Sequence, residues 1–91
     1  RVYNTSCAAC HQPTGQGIPG VFPSLVKTPF VTGDKAAHID IVVNGKAGTA
    51  MQAFGGQLSA YDVAAVVTYE RNAWGNDTGD VVQPSDIKAA R

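Results

Sequence analysis

Between Gln12 and Gly33 the chain carries four prolines, at 13, 19, 23 and 29, and four glycines, at 15, 17, 20 and 33. Proline removes a backbone donor and fixes φ, and glycine loosens any regular element, so no helix or strand of ordinary length crosses this stretch. A loop this long is uncommon in a compact domain unless it is functional. Here it is expected to wrap a ligand. The remaining residues must then supply the core of a chain of only 91 residues. A domain of that size buries about 60% of the surface its unfolded chain exposes. With three Phe, three Tyr and one Trp against ten Gly, side chains alone make a thin core, and an apolar group of another kind would complete it.

The flanking segments read as helices. Residues 2–10 can form a short one with Val2, Tyr3 and Cys7 near one face. Asp34 can cap a second that runs to about Asn44, with Ala36, Ile39, Val42 and Val43 on its apolar side and Gly45 at its stop. His38 falls off the Ile39/Val43 face and is expected in solvent. Ser59 and Asp62 make a weak capping box for a third helix reaching about Asn72, with Leu58 against Val63 as its hydrophobic staple. Val63, Val66, Val67 and Glu70 share a face of that helix, with Tyr69 beside it. After Trp74-Gly75 the sequence turns polar, and Pro84-Ser85-Asp86 can open one last helical turn. No alternating run suggests a strand. The expectation is an all-α fold of three to five short helices with long loops, one domain over 1–91, its core about 1–74 and a polar C-terminal extension about 75–91.

Seven basic and seven acidic residues cancel, so no basic stripe points to nucleic acid. No apolar run approaches the roughly 20 residues that span a bilayer. The first residues, Arg1-Val2-Tyr3-Asn4, lack the charged and apolar regions of a signal peptide. Since Arg1 is not an initiator Met, a mature secreted protein or an excised domain is expected.

Cys7-Ala8-Ala9-Cys10-His11 has the form C-x-x-C-H, the attachment sequence of haem c. Positions i, i+3 and i+4 of a helical turn lie on one face. Two thiols so placed can bond the two vinyl groups at one haem edge while the adjacent imidazole reaches the iron. A zinc site would need further ligands beyond His11 and His38, and no second C-x-x-C exists. A thioredoxin-like pair would need a βαβ setting that the pattern lacks. One covalent haem c is therefore expected, with His11 as a ligand to its iron.

The other axial ligand is expected to be Met51, the sole Met, in the loop Gly48-Thr49-Ala50-Met51-Gln52-Ala53-Phe54. Met more often fills a core, but this one lies between helices and off any apolar stripe. Met/His ligation raises the reduction potential. His38 is the rival ligand. Trp74 and Tyr61 are candidates to donate hydrogen bonds to the haem propionates, and Ile18, Val21, Phe22 and Ala50 to form an apolar docking patch. With both axial positions filled, the expected chemistry is outer-sphere electron transfer. The alternative is a haem sensor or enzyme with a displaceable Met51, which carbon monoxide would bind when reduced.

In order along the chain, C-A-A-C-H, G-x-G at Gly15 and Gly17, P-S-L at 23–25 and a Met loop before the last long helix make the sequence resemble the class I cytochrome c family. The resemblance implies terminal helices crossing near Tyr3 and Tyr69, a Pro23 carbonyl that accepts the Nδ1–H of His11, and Leu25 packed on the haem. The segments 38–54 and 69–84, the latter Y-E-R-N-A-W-G-N-D-T-G-D-V-V-Q-P, are similar to the cytochrome c domain at the C-terminus of subunit II in bacterial caa3-type haem–copper oxidases. That likeness implies an electron carrier, not itself an enzyme, that takes electrons from a redox protein donor. It would pass them to the oxidase copper centre. It would be soluble in itself but tethered to a membrane complex, on the periplasmic or extracytoplasmic face of the bacterial inner membrane. A free periplasmic monohaem shuttle is the alternative.

Overall fold

The computed structural model describes residues 1–90. Its elements are α1 (Val2–Ser6), α2 (Ala8–His11), α3 (Pro29–Thr32), α4 (Lys35–Asn44), α5 (Ala60–Asn72) and α6 (Pro84–Ala90). Among the described residues there is no strand beyond an isolated bridge between Ile18 and Phe22. The fold is all-α. Two four-residue turns, α2 and α3, bring the helical segments above the three to five expected. The first expected helix divides at Cys7, where the backbone leaves helical geometry at φ −120°. α3 follows from local chemistry: Pro29 at its first position has the φ a helix needs and gives up only an N–H that would be unpaired there.

The two long helices start where side chains satisfy free N–H groups. Asp34 Oδ2 accepts from the Ala37 amide at 3.2 Å, and Ser59 Oγ accepts from the Asp62 amide at 3.0 Å. Gly45, at φ 75°, ends α4. α5 is the hub: it packs against α1, α3, α4 and α6, and Val63, Ala64, Val66, Val67 and Glu70 are buried along it. Tyr3 of α1 meets Tyr69 and Trp74 with ring centroids 5.5 and 4.9 Å away.

One expectation about α4 is overturned. His38 is buried, 3% exposed, while Ala36 is exposed. α4 has covered surface on two sides: Ile39, Val42 and Val43 enter the core, and His38, Ile41 and Val42 line a cavity. His38 and Val42 are four apart and so share a face. A helix covered on two sides has no single apolar stripe from which to place its polar residues.

The C-terminal segment is part of the packed structure. Val82 and Ile87 belong to the hydrophobic core, and α6 lies against both α4 and α5. Arg71, almost wholly buried, ties this segment in. Its guanidinium donates to the carbonyls of Val31 and Gly33 at 2.8 and 2.7 Å, and its Nε donates to Asp80 at 3.0 Å.

Candidate functional site

The N-terminal helices, the proline-rich loop, α3, α4, the Met51 loop and α5 together enclose a cavity of about 420 Å³. Cys7, Cys10, His11, Pro23, Leu25 and Met51 all line it. Both thiols are free, Cys7 buried and Cys10 exposed. Burial pushes the Cys7 thiol up to about 12, with the Glu70 carboxylate and then Cys10 adding to the effect. Such a thiol is a poor free nucleophile.

His11 Nδ1 donates to the Pro23 carbonyl at 2.9 Å. That bond fixes the tautomer and the ring plane, and leaves Nε2 as the nitrogen able to ligate. The loop is shaped to deliver the carbonyl. Gly17 N–H donates to His11 O at 2.9 Å, and Leu25 N–H donates to Gly15 O at 2.6 Å. Gly17 stands at φ 67°, where a Cβ would collide with the carbonyls of Phe22 and Pro23. Glycine is required there for both its dihedral and its size.

Met51 is half-buried on the cavity wall. Its carbonyl accepts from the Lys46 amide at 3.2 Å, and the loop closes back on α4 through Phe54 N–H to Val42 O and Gly55 N–H to Val43 O, at 2.9 and 3.0 Å. His38 and Glu70 also line the cavity, hydrogen-bonded to each other from Nε2 to Oε1 at 2.9 Å.

Trp74 lies outside the cavity lining. Its indole N–H donates to Pro13 O at 3.0 Å, and its ring sits so close over Gly15 that a Cβ there would approach the indole to 2.5 Å. The indole donor that a propionate would need is thus already engaged. Tyr61 is 71% exposed and is not on the cavity either. Of the apolar patch, Val21, Phe22 and Ala50 reach the cavity, with Val21 and Ala50 exposed, while Ile18 stands apart from it.

Two residues at the site escaped the sequence reading. Glu70 was placed on the apolar face of α5, and a carboxylate in such a stripe was the available signal for a buried partner. Asn76, 2% exposed, donates to Leu25 O at 2.8 Å and Glu70 O at 2.9 Å, and accepts from the Lys27 amide at 2.6 Å. It joins the loop bearing Pro23 and Leu25 to the end of α5, and no periodicity marks it.

These residues fit a haem. The walls contributed by Val21, Phe22, Leu25, Ile41, Val42 and Phe54 are apolar, two free thiols lie in one short segment, and an oriented imidazole stands next to them. Among the described residues no group of three or more His, Cys, Asp or Glu is placed to hold a metal ion.

Residues 1–69 match the protein family described as cytochrome c oxidase, cbb3-type, subunit III. The chain is 34% identical over 100 residues to the cytochrome c subunit of a quinone alcohol dehydrogenase from Gluconobacter oxydans (strain 621H), an alignment covering 99% of this chain and 21% of that subunit. It is 33% identical over 84 residues to cytochrome c-552 of Thermus thermophilus, covering 77% of this chain and 63% of that protein. This chain thus spans about a fifth of the first relative and under two thirds of the second. Among solved structures, the c-type cytochrome NirC superposes with a TM-score of 0.63 at 22% identity, over 90% of this chain and 87% of that one, a likeness of fold. The matched residues include the thiols, His11, Pro23 and Met51 as well as most of α5, and the chain belongs to the cbb3-type subunit III family of cytochrome c, as an electron-transfer domain with one covalently bound haem c.

Proposed function

We propose that Cys7 and Cys10 hold the haem through thioethers, that His11 and Met51 are its axial ligands, and that the domain relays single electrons inside a membrane-associated redox complex. The observation that carries the reading is the His11–Pro23 bond at 2.9 Å on a cavity shared with both thiols and Met51. When bound, the haem supplies a one-electron ferric/ferrous couple whose potential follows its ligands and surroundings. Pro23 enriches and orients His11. Leu25, Val42 and Phe54 keep water from the cofactor, and Met51 closes the remaining coordination position. Val21, Phe22 and Ala50 form the apolar rim through which a partner receives the electron.

The acceptor we propose is the copper centre of a terminal oxidase, with a redox protein as donor, on the extracytoplasmic face of a bacterial inner membrane. The match of residues 1–69 to a family described as subunit III of a cbb3-type cytochrome c oxidase supports an oxidase as the partner. No helix among the described residues is long and apolar enough to cross a membrane, so in this reading the tether lies elsewhere. Four lysines, at 27, 35, 46 and 88, and zero net charge give weak steering, as transfer within one complex permits. The second reading is a free shuttle between complexes.

Optical spectra after acidified-acetone extraction test the site. Haem retained by the protein, with the weak far-red band of sulfur–Fe(III) ligation, is expected. A colourless protein from cells with working haem-attachment machinery refutes the covalent site. For the partner, stopped-flow oxidation of the ferrous domain by an oxidase copper-centre fragment is expected to be fast and nearly independent of salt. A steep fall in rate with salt counts against a tethered relay.

A further inference from the structure

We infer that the buried His38–Glu70 pair is a redox-linked proton site, whose proton occupancy follows the charge on the haem and makes the reduction potential depend on pH. The inference rests on the haem reading above and concerns residues that reading does not use. His38 is 3% and Glu70 4% exposed, both line the cavity, and they are joined at 2.9 Å. The other ring nitrogen, His38 Nδ1, is buried with no hydrogen-bond partner. A fully apolar wall would seal a haem equally well, and breaking up such a wall with two ionisable groups is costly unless they stay paired.

The charged neighbours do not neutralise the pair from outside. Arg71 follows Glu70 on α5, but its guanidinium is spent on Val31 O, Gly33 O and Asp80. From α6, Asp86 pairs with Lys35 of α4 at 3.6 Å, and Lys88 is exposed. Lys46 stands over the Phe30 ring, 4.1 Å from its centroid. From the N-terminal side come Tyr3 and Cys7, both pushed up mainly by burial and next by the Glu70 carboxylate. The field of Glu70 therefore reaches the haem attachment point. Tyr3 already donates its hydroxyl to Gln12 O at 2.5 Å, and Cys7 loses its proton on forming a thioether. Among the described residues, the only ion pair Glu70 makes is with His38.

Two ionisable groups held in one low-dielectric wall respond strongly to a charge placed beside them. Reduction brings one electron into the cavity from the donor and draws one proton from solvent onto the pair. No bond to the iron forms or breaks. Because the pair is coupled, the proton belongs to both residues jointly. The sign follows: a proton on the pair favours the electron, so deprotonation as pH rises lowers the potential.

The test is spectroelectrochemical titration of the haem-loaded protein from about pH 4 to 10, which spans the carboxylate and imidazole ranges. In one window the electron-binding constant is expected to fall by up to tenfold per pH unit, one proton per electron. Glu70→Gln and His38→Gln are expected to flatten that window. A window that persists unchanged in both variants overturns the inference, as does Glu70→Gln that only lowers Tm. Should a variant fail to fold, the His38 ring protons of the wild-type protein are followed by NMR in both oxidation states. Different titration midpoints in the two states support the site, and identical ones overturn it. A chain that holds no haem overturns this and the underlying reading together, whereas a flat potential in haem-loaded protein overturns this inference alone.

Discussion

The two loops that face the cavity are built differently. The loop after His11 is bonded from several directions: to α2 through Gly17 N–H and His11 O, within itself through Leu25 N–H and Gly15 O, to Trp74 through Pro13, and to Asn76 through Leu25 and Lys27. The loop bearing Met51 is bonded to the end of α4 through Phe54 and Gly55 and within itself through Lys46 N–H and Met51 O, and its residues 46–50 are exposed. The proposed ligand His11 is thus held by a cross-braced frame and the proposed ligand Met51 by a hinged flap. A segment with few long-range bonds opens at lower free energy than one braced from three sides. The comparison teaches that the His11 side sets the geometry of the site while the Met51 side admits adjustment.

The largest expected effect comes from breaking the frame. Gly17→Ala places a methyl group against the Phe22 and Pro23 carbonyls at a backbone φ of 67°. The left-handed conformation costs about 1–2 kcal/mol for an L-residue, and overpacking adds about 1–3 kcal/mol. A loss of about 2–5 kcal/mol, read by thermal melting of the haem-loaded protein, is expected, along with a weakened His11–Pro23 bond. A melt unchanged from wild type would remove the distinction between frame and flap.

Asn76→Ala is expected to cost about 3 kcal/mol, since it leaves the Leu25 and Glu70 carbonyls and the Lys27 amide without their partner. Denaturant melts measure the loss, and hydrogen exchange is expected to localise it to residues 23–27. Exchange that instead rises first in 46–52 would reverse the ranking of the two loops.

How far the sequence reached follows the same division. The motif at 7–11, the caps at Asp34 and Ser59 and the apolar face of α5 depend on neighbours within a few residues, so local pattern reveals them. His38, Asn76 and Arg71 take their partners from 32, 51 and 40 positions away, and no periodicity encodes such pairings. His38 was expected in solvent because one apolar stripe was assumed for α4, which is covered on two sides. The burial of Val82 and Ile87 was hidden for a related reason: a polar-looking tail needs only two apolar residues in the right register to dock.

A smaller effect comes through pH. Asp80 accepts two bonds from the Arg71 guanidinium, and this hydrogen bonding, ahead of the opposing burial, holds its carboxyl below the ordinary 3.8. A lowered folded value means that the carboxylate stabilises the folded state above the ordinary aspartate range. That contribution is lost as pH falls through the folded value. Acid titration of stability is therefore expected to show a loss beginning below about pH 4, and Asp80→Asn is expected to blunt it. Arg71 braces α3 and the C-terminal segment, neither of which carries a proposed ligand, so the acid loss should leave the far-red band expected of Met51 ligation until the whole domain unfolds. Early loss of that band would couple the flap to this brace.

The smallest expected effect isolates environment from conformation. Gly48, in the Met51 loop, stands at φ 79°, close to the 67° of Gly17, but a Cβ there meets nothing within 4 Å. Gly48→Ala carries the same dihedral penalty, about 1–2 kcal/mol, with no steric addition. Part of it is offset by the lower entropy of the unfolded alanine chain, worth about 0.4–1 kcal/mol. A net loss of about 0–1.6 kcal/mol is expected, with the spectrum expected of His11/Met51 ligation intact. The two alanine variants differ only in what surrounds the new methyl group, so their difference measures how tightly each loop is packed. Equal losses would mean that the dihedral alone governs both, and the frame and the flap would then be one kind of loop.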